Sequence, residues 1–169
     1  MSSSRTEVGR KFLRIVAVGT LFLWAGIAQA FLLESLDKER VDLLDYVGDG
    51  RWTVIMFWST DCVSCEEQKP AFEAFHQKHK DNVAKVMGIA LDGMENESGI
   101  QKLIDLHQPS YTNLVVYTDV FYRQYEELVG KPFRITPTYL IFDSQGKIEG
   151  TVYGYMDFDA LADHITTQN

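Results

Sequence analysis

Residues 52–58, WTVIMFW, form an unbroken apolar run rich in β-formers, which predicts a central strand buried on both faces. The polar tetrad Ser59-Thr60-Asp61-Cys62 follows and reads as a helix start. That helix is predicted over residues 63–80, with Pro70 inside it and a kink expected there. Phe72 and Phe75 can share its buried face, whereas Glu66, Glu67 and Lys69 are expected in water. Residues 83–91 predict a second buried strand, closed by Asp92-Gly93.

Beyond it, residues 98–107 carry an amphipathic helical pattern with Ile100, Leu103, Ile104 and Leu106 apolar. A short strand is predicted at 114–117, and a helix at 121–129 closed by Gly130. A strand at 138–142, a turn at 143–146 and a strand at 148–153 make a hairpin. A helix over 157–166 ends the pattern. Ahead of the central strand, residues 32–36 and 41–44 flank a turn and predict a short hairpin, or a strand leading to a short helix. Strands alternating with helices, followed by a hairpin and a helix, predict an α/β fold with a central mixed β-sheet and helices on both faces.

The N-terminus follows a different rule. Arg5, Arg10, Lys11 and Arg14 precede an uncharged apolar run from Ile15 to Ile27, and Ala28-Gln29-Ala30 has the small-x-small form of a cleavage site. Residues 1–30 are therefore expected to be a signal peptide cleaved after Ala30, with a single domain over 31–169. The rival reading is an N-terminal membrane anchor, because residues 15–33 are just long enough to span a bilayer. Either places the domain outside the cytoplasm, in the periplasm or an equivalent exported compartment, or anchored to the inner membrane and facing outward.

Charge and cysteine count narrow the function. The chain of 169 residues has net charge −8, and removing the basic start leaves −11. An acidic surface of that kind disfavours nucleic acid and anionic lipid. A monomer is the expected state. There are two cysteines, Cys62 and Cys65. A bridge between them closes a very small loop and constrains the unfolded chain little, so their use is chemical rather than structural. At a helix N-terminus, free backbone N–H groups and the helix dipole stabilise the Cys62 thiolate, the reactive form, by up to about 2 kcal/mol. Asp61, Glu66 and Glu67 act against this, so Cys62 is expected to be a moderately acidic thiol. Cys65, one turn on, can attack a mixed disulfide formed on Cys62, and no cofactor is needed beyond the pair itself. Zinc would require about four ligands, and no second cysteine pair accompanies this one. No metal is expected.

A proline ahead of the strand TYLIF, in Ile135-Thr136-Pro137-Thr138, belongs at a strand start because it cannot donate to the ladder. Four features together make the chain resemble the thioredoxin superfamily, most of all its exported TlpA/ResA-like thiol–disulfide oxidoreductases. They are the FW-containing strand before CxxC, Pro70 five residues after the second cysteine, Thr136-Pro137 before a strand, and the closing hairpin and helix. The resemblance covers residues 32–167 and implies a thioredoxin-like fold with catalytic Cys62 and Cys65. It also implies a cis Thr136-Pro137 facing the cysteines and binding substrate through its backbone.

For partners, the resemblance implies protein substrates with disulfides or thiols and a membrane electron donor that re-reduces the pair. Apocytochrome c or copper-site assembly proteins are the client class it suggests. Three departures stand out. Asp61 replaces an aromatic residue, Val63-Ser64 replaces a pair that often contains proline, and Met56 stands where minimal thioredoxins keep a buried carboxylate. No proton acceptor for Cys65 is thereby identified, although Glu66 is a candidate. Reduction of protein disulfides is the first reading. A disulfide donor or isomerase is the second, and a non-enzymatic dithiol that carries Cu(I) or docks a partner is the third.

Overall fold

The computed structural model describes residues 30–168. The signal-peptide or anchor reading of residues 1–30 thus falls, apart from Ala30, outside the described residues. Phe31 and Leu33 are buried in the domain, so the last residues of the apolar stretch 15–33 belong to the fold. No helix among the described residues is long and apolar enough to cross a membrane.

The elements run β1 (Leu32–Ser35), β2 (Arg40–Asp42), a short 3-10 helix (Leu43–Tyr46), β3 (Trp52–Trp58), α1 (Val63–His79), β4 (Ala84–Ala90), a 3-10 turn (Met94–Asn96) and α2 (Glu97–His107). They continue with β5 (Thr112–Val116), α3 (Phe121–Val129), β6 (Thr138–Phe142), β7 (Ile148–Tyr153) and α4 (Phe158–Gln168). Seven strands form one sheet in the order β2-β1-β5-β4-β3-β6-β7. The three central strands β5, β4 and β3 are parallel, and β1, β2, β6 and β7 pair antiparallel around them. The first hairpin and the short helix after it are both present, because Asp42 accepts the N–H groups of Phe31 and Leu44 at 3.0 Å each and ends the strand there.

All seven residues of β3 are buried. Period-2 alternation divides them between two apolar layers. Val54, Met56 and Trp58 face Phe72 and Phe75 of α1, Ile100 of α2, and Leu161 and Ile165 of α4. Ile55 and Phe57 face Phe121 and Tyr125 of α3, together with Phe31, Leu33 and Leu43. The sheet is therefore covered on both faces, as the uninterrupted apolar run requires. Phe57 is the centre of the second layer, with ring centroids 5.5 Å from Tyr125, 5.6 Å from Phe121 and 5.9 Å from Phe133. Gly130, at φ +74°, caps α3 in the left-handed conformation that only glycine adopts without steric cost.

Side-chain placement on α1 corrects the sequence reading at Lys69. Lys69 is buried, with 6% of its surface exposed, rather than wet. His76 is buried as well and accepts the Val86 backbone N–H at Nδ1, 3.2 Å away, so it serves the packing of α1 on β4. The buried face of this helix is wider than the phenylalanine spacing suggests, since α2 and the chain before β5 pack against its flank. On α2 the opposite holds, and Leu106 stays exposed. Pro70 lies inside α1 without ending it.

Replacing Phe57 with Ala removes the hub of one layer without touching the cysteines. We expect a loss of about 3–5 kcal/mol in denaturant unfolding. A loss under about 1 kcal/mol contradicts this packing role.

Candidate active site

Strand β3 carries the chain to the carboxyl edge of the sheet. Its pairing holds to the last residue, where the Trp58 carbonyl accepts the Leu91 N–H at 2.8 Å. The loop that follows is latched to the end of β4. Thr60 donates its backbone N–H to Asp92 Oδ2 at 2.9 Å and its hydroxyl to Asp92 Oδ1 at 2.5 Å. Asn96 Nδ2 donates to the Thr60 hydroxyl at 2.9 Å and to Asp92 Oδ1 at 3.1 Å. The Cys62 N–H closes the turn on the Ser59 carbonyl at 3.2 Å.

Cys62 is then the N-cap of α1. Its backbone is extended, and its Sγ accepts the Cys65 N–H at 3.1 Å while its carbonyl accepts the Glu66 N–H at 3.2 Å. A sulfur at the N-cap sits where a serine or aspartate oxygen usually does, facing orphan donors and the positive end of the dipole. The two cysteines are joined as a disulfide, with Cα atoms 5.2 Å apart. Cys62 keeps 8% of its surface and Cys65 none, so Cys62 is the more accessible of the pair. Val63 beside it is 72% exposed.

The Thr136-Pro137 peptide is cis and lies just before β6. Pairing of Phe57 with Thr138 sets Pro137 against the end of β3, at the same sheet edge as the cysteine loop. Its carbonyl accepts the Gly154 N–H at 2.8 Å. The turn after β7 is in turn fastened to α1. Buried Gln68 accepts the Tyr139 hydroxyl at 3.0 Å and the Met156 N–H at 2.7 Å through Oε1, and the Tyr155 hydroxyl donates to Glu67. Cysteine helix, proline segment and the turn after β7 thus form one bonded unit.

The acidic neighbours are not equivalent. Asp61 is exposed and accepts the Ser59 hydroxyl at 2.8 Å. Glu66 is half-buried. Burial pushes its carboxyl up, but bonds from Lys69 and His107 outweigh this and leave it below the ordinary value. Met56 is fully buried and supplies no charge. Among the described residues no three or more His, Cys, Asp or Glu side chains are gathered as a metal site.

Of the residues named from sequence, Cys62, Cys65, Thr136 and Pro137 lie at one edge of the sheet, and the structure adds Gln68, Lys69, Asp92 and Asn96 around them. Asp92 was visible only as a turn residue. Lys69 had one usable signal, its spacing of four from Cys65, which puts it on the same helix face.

Residues 26–151 match the family model described as AhpC/TSA family. The chain is similar to sporulation thiol-disulfide oxidoreductase A of Bacillus subtilis, with 22% identity over 158 residues, covering 87% of this chain and 90% of that protein. A segment of 81 residues is 30% identical to thiol-disulfide oxidoreductase ResA of Halalkalibacterium halodurans, covering 48% of this chain and 44% of that one. Among solved structures, the thioredoxin domain of thiol-disulfide oxidoreductase BVU-2223 from Bacteroides vulgatus superposes with a TM-score of 0.67 at 19% identity, covering 82% of this chain and 94% of that chain. StoA from Bacillus subtilis superposes at 0.61, also at 19% identity, over 80% of this chain and 95% of that chain. These structural likenesses show a thioredoxin-like fold, the α/β architecture expected from the element order.

With helix N–H groups favouring the thiolate and Asp61 opposing it, the pH profile of Cys62 alkylation in the reduced protein should have its midpoint below a free thiol's value of about 8.5 and above about 5. A midpoint below about 5 contradicts this balance of charges.

Proposed function

The chain belongs to the AhpC/TSA family, and we propose that it is a thiol–disulfide oxidoreductase that reduces disulfides in exported proteins. The observation that carries this reading is the asymmetry of the pair. Cys62 caps α1 and reaches the surface, while Cys65 lies buried one turn away within bonding distance.

In the reduced protein, the Cys62 thiolate attacks one sulfur of a client disulfide. A mixed disulfide forms between Cys62 and the client, and the client's other sulfur leaves with the electron pair and takes up a proton. Cys65, as thiolate, then attacks Cys62 Sγ. The Cys62–Cys65 bond forms, the bond to the client breaks, and the second client sulfur leaves as a thiol. The client gains two electrons, and the dithiol has become the disulfide. A membrane electron donor returns the pair to the reduced state.

Thr136 and Pro137 bind the client by their backbone. Proline offers no N–H to the sheet, so this segment remains free of the ladder at its outer side. The exposed side chains of Val63, Ile135 and Tyr155 supply an apolar rim nearby. Exported proteins that must present free cysteines to a metal or haem, of the cytochrome c or copper-site assembly kind, are the client class. The basic start and apolar run of residues 1–30 support export.

The test is trapping. Cys65→Ser protein, reduced and then exposed to oxidised glutathione, should hold one glutathione on Cys62 by intact mass and peptide mapping, and Cys62→Ser protein none. A glutathione on Cys65 in the Cys62→Ser variant, formed at the same rate, would contradict the assignment of distinct roles to the two sulfurs.

A further inference from the structure

Cys65 has no exposed surface, and a thiol removed from water holds its proton more tightly. Its step nevertheless requires a thiolate. Met56 provides no charge, so the compensating group lies elsewhere.

Lysine is seldom buried unless paired. Lys69 is 6% exposed and stands four residues after Cys65, one turn along the same face of α1. Its ammonium lies 4.2 Å from the centroid of the Trp58 ring, on the last residue of β3, a favourable cation–π position. Glu66 accepts from it through Oε1, and the other Glu66 oxygen meets His107 Nε2 of α2 at 2.5 Å. Residues of three elements therefore surround one buried cation, one helical turn along α1 from Cys65. A cavity of about 320 Å³ lies against it, lined by Lys69, Pro70, Glu73, His107, Pro109 and Tyr111. The titratable groups facing Lys69 are Glu66 and Glu73 of α1, His107 of α2 and Tyr111 ahead of β5.

We propose that Lys69 is a positioning residue for the resolving step, its ammonium stabilising the Cys65 thiolate while Glu66, itself held by His107, keeps it in place and partly neutralises it. This rests on the dithiol-exchange reading. The Cys65 proton passes to water. The thiolate forms the bond to Cys62 Sγ as the bond from Cys62 to the client breaks, and the client sulfur takes up a proton from water. Lys69 keeps its own proton throughout.

An opposite charge close to an ionisable group shifts its pKa by about one to three units, and each unit is a factor of ten in thiolate fraction. Removing the cation raises the Cys65 pKa. Removing the Glu66 charge, which offsets that cation, lowers it.

Stopped-flow reaction of the reduced full chain with 5,5′-dithiobis(2-nitrobenzoate) separates the steps. The first thionitrobenzoate released reports attack by Cys62, and the second reports attack by Cys65. Lys69→Met should move the pH midpoint of the second phase up by about one unit and slow it about tenfold at neutral pH. Lys69→Arg should restore the midpoint. Glu66→Gln should move it down, and this half-exposed change tests the proposal even if Lys69→Met fails to fold. A merely structural role gives no such opposition of sign. An unmoved second-phase midpoint in the folded variants, or upward movement in both Lys69→Met and Glu66→Gln, overturns the role of Lys69. Absence of any second phase in the unmodified protein would instead count against the exchange reading itself.

Discussion

The register of β3 between β4 and β6 is the constraint on which the rest of the molecule depends. Trp58 pairs with Ala90 on one side, and Phe57 pairs with Thr138 on the other. These pairings bring three chain segments to one edge of the sheet: the cysteine loop, the end of β4 with Asp92, and Thr136-Pro137. A slip of one residue would invert every side chain of β3 and exchange its two apolar layers. Burial of all seven residues forbids that, because Phe57 with its aromatic neighbours and Trp58 with Lys69 are shaped for opposite faces. Placement of the chemistry is thus a consequence of core packing.

The site balances opposing charges rather than collecting one sign. Helix α1 offers an N–H group to Cys62 Sγ, while Asp61 directly before it and Glu67 on the same helix carry negative charge. One turn along the helix from Cys65, Lys69 is buried against an aromatic ring, and the carboxylate of Glu66, bonded in turn to His107, limits its field. Such an arrangement suits a thiol that must serve as both nucleophile and leaving group, since a very acidic thiolate attacks slowly and leaves readily. The hydrogen bonds of Gln68 and Asp92 give this balance a fixed geometry. One ties α1 to β6 and to the turn after β7, and the other ties the loop before Cys62 to β4.

Much of this was legible in sequence because it rests on short-range pattern. The apolar run 52–58 specified a doubly covered strand, the residues 121–129 and 138–142 specified elements with those bounds, and CxxC after a polar loop specified a helix start. What escaped is long-range. Period alone puts charged residues of α1 outside, and nothing local reveals that α2 and the chain before β5 close over Lys69. Asp92 and Asn96 look like turn residues until the parallel pairing of β3 and β4 sets them against Thr60. Gln68 reads as a surface glutamine until Tyr139 and Met156 arrive from β6 and the last turn. Composition and spacing therefore locate the cysteine pair, and the side chains that pack around it become visible only with the tertiary fold.

The reduction potential of the Cys62–Cys65 couple tests the central claim most directly. The protein is equilibrated in thiol buffers of graded potential, and the fraction of dithiol is counted by alkylation and mass. The account predicts one reversible two-electron transition near about −270 mV, in the range of a reductant. A transition near about −120 mV would identify an oxidant and contradict the direction of electron flow. Absence of a reversible transition would contradict the exchange chemistry as a whole.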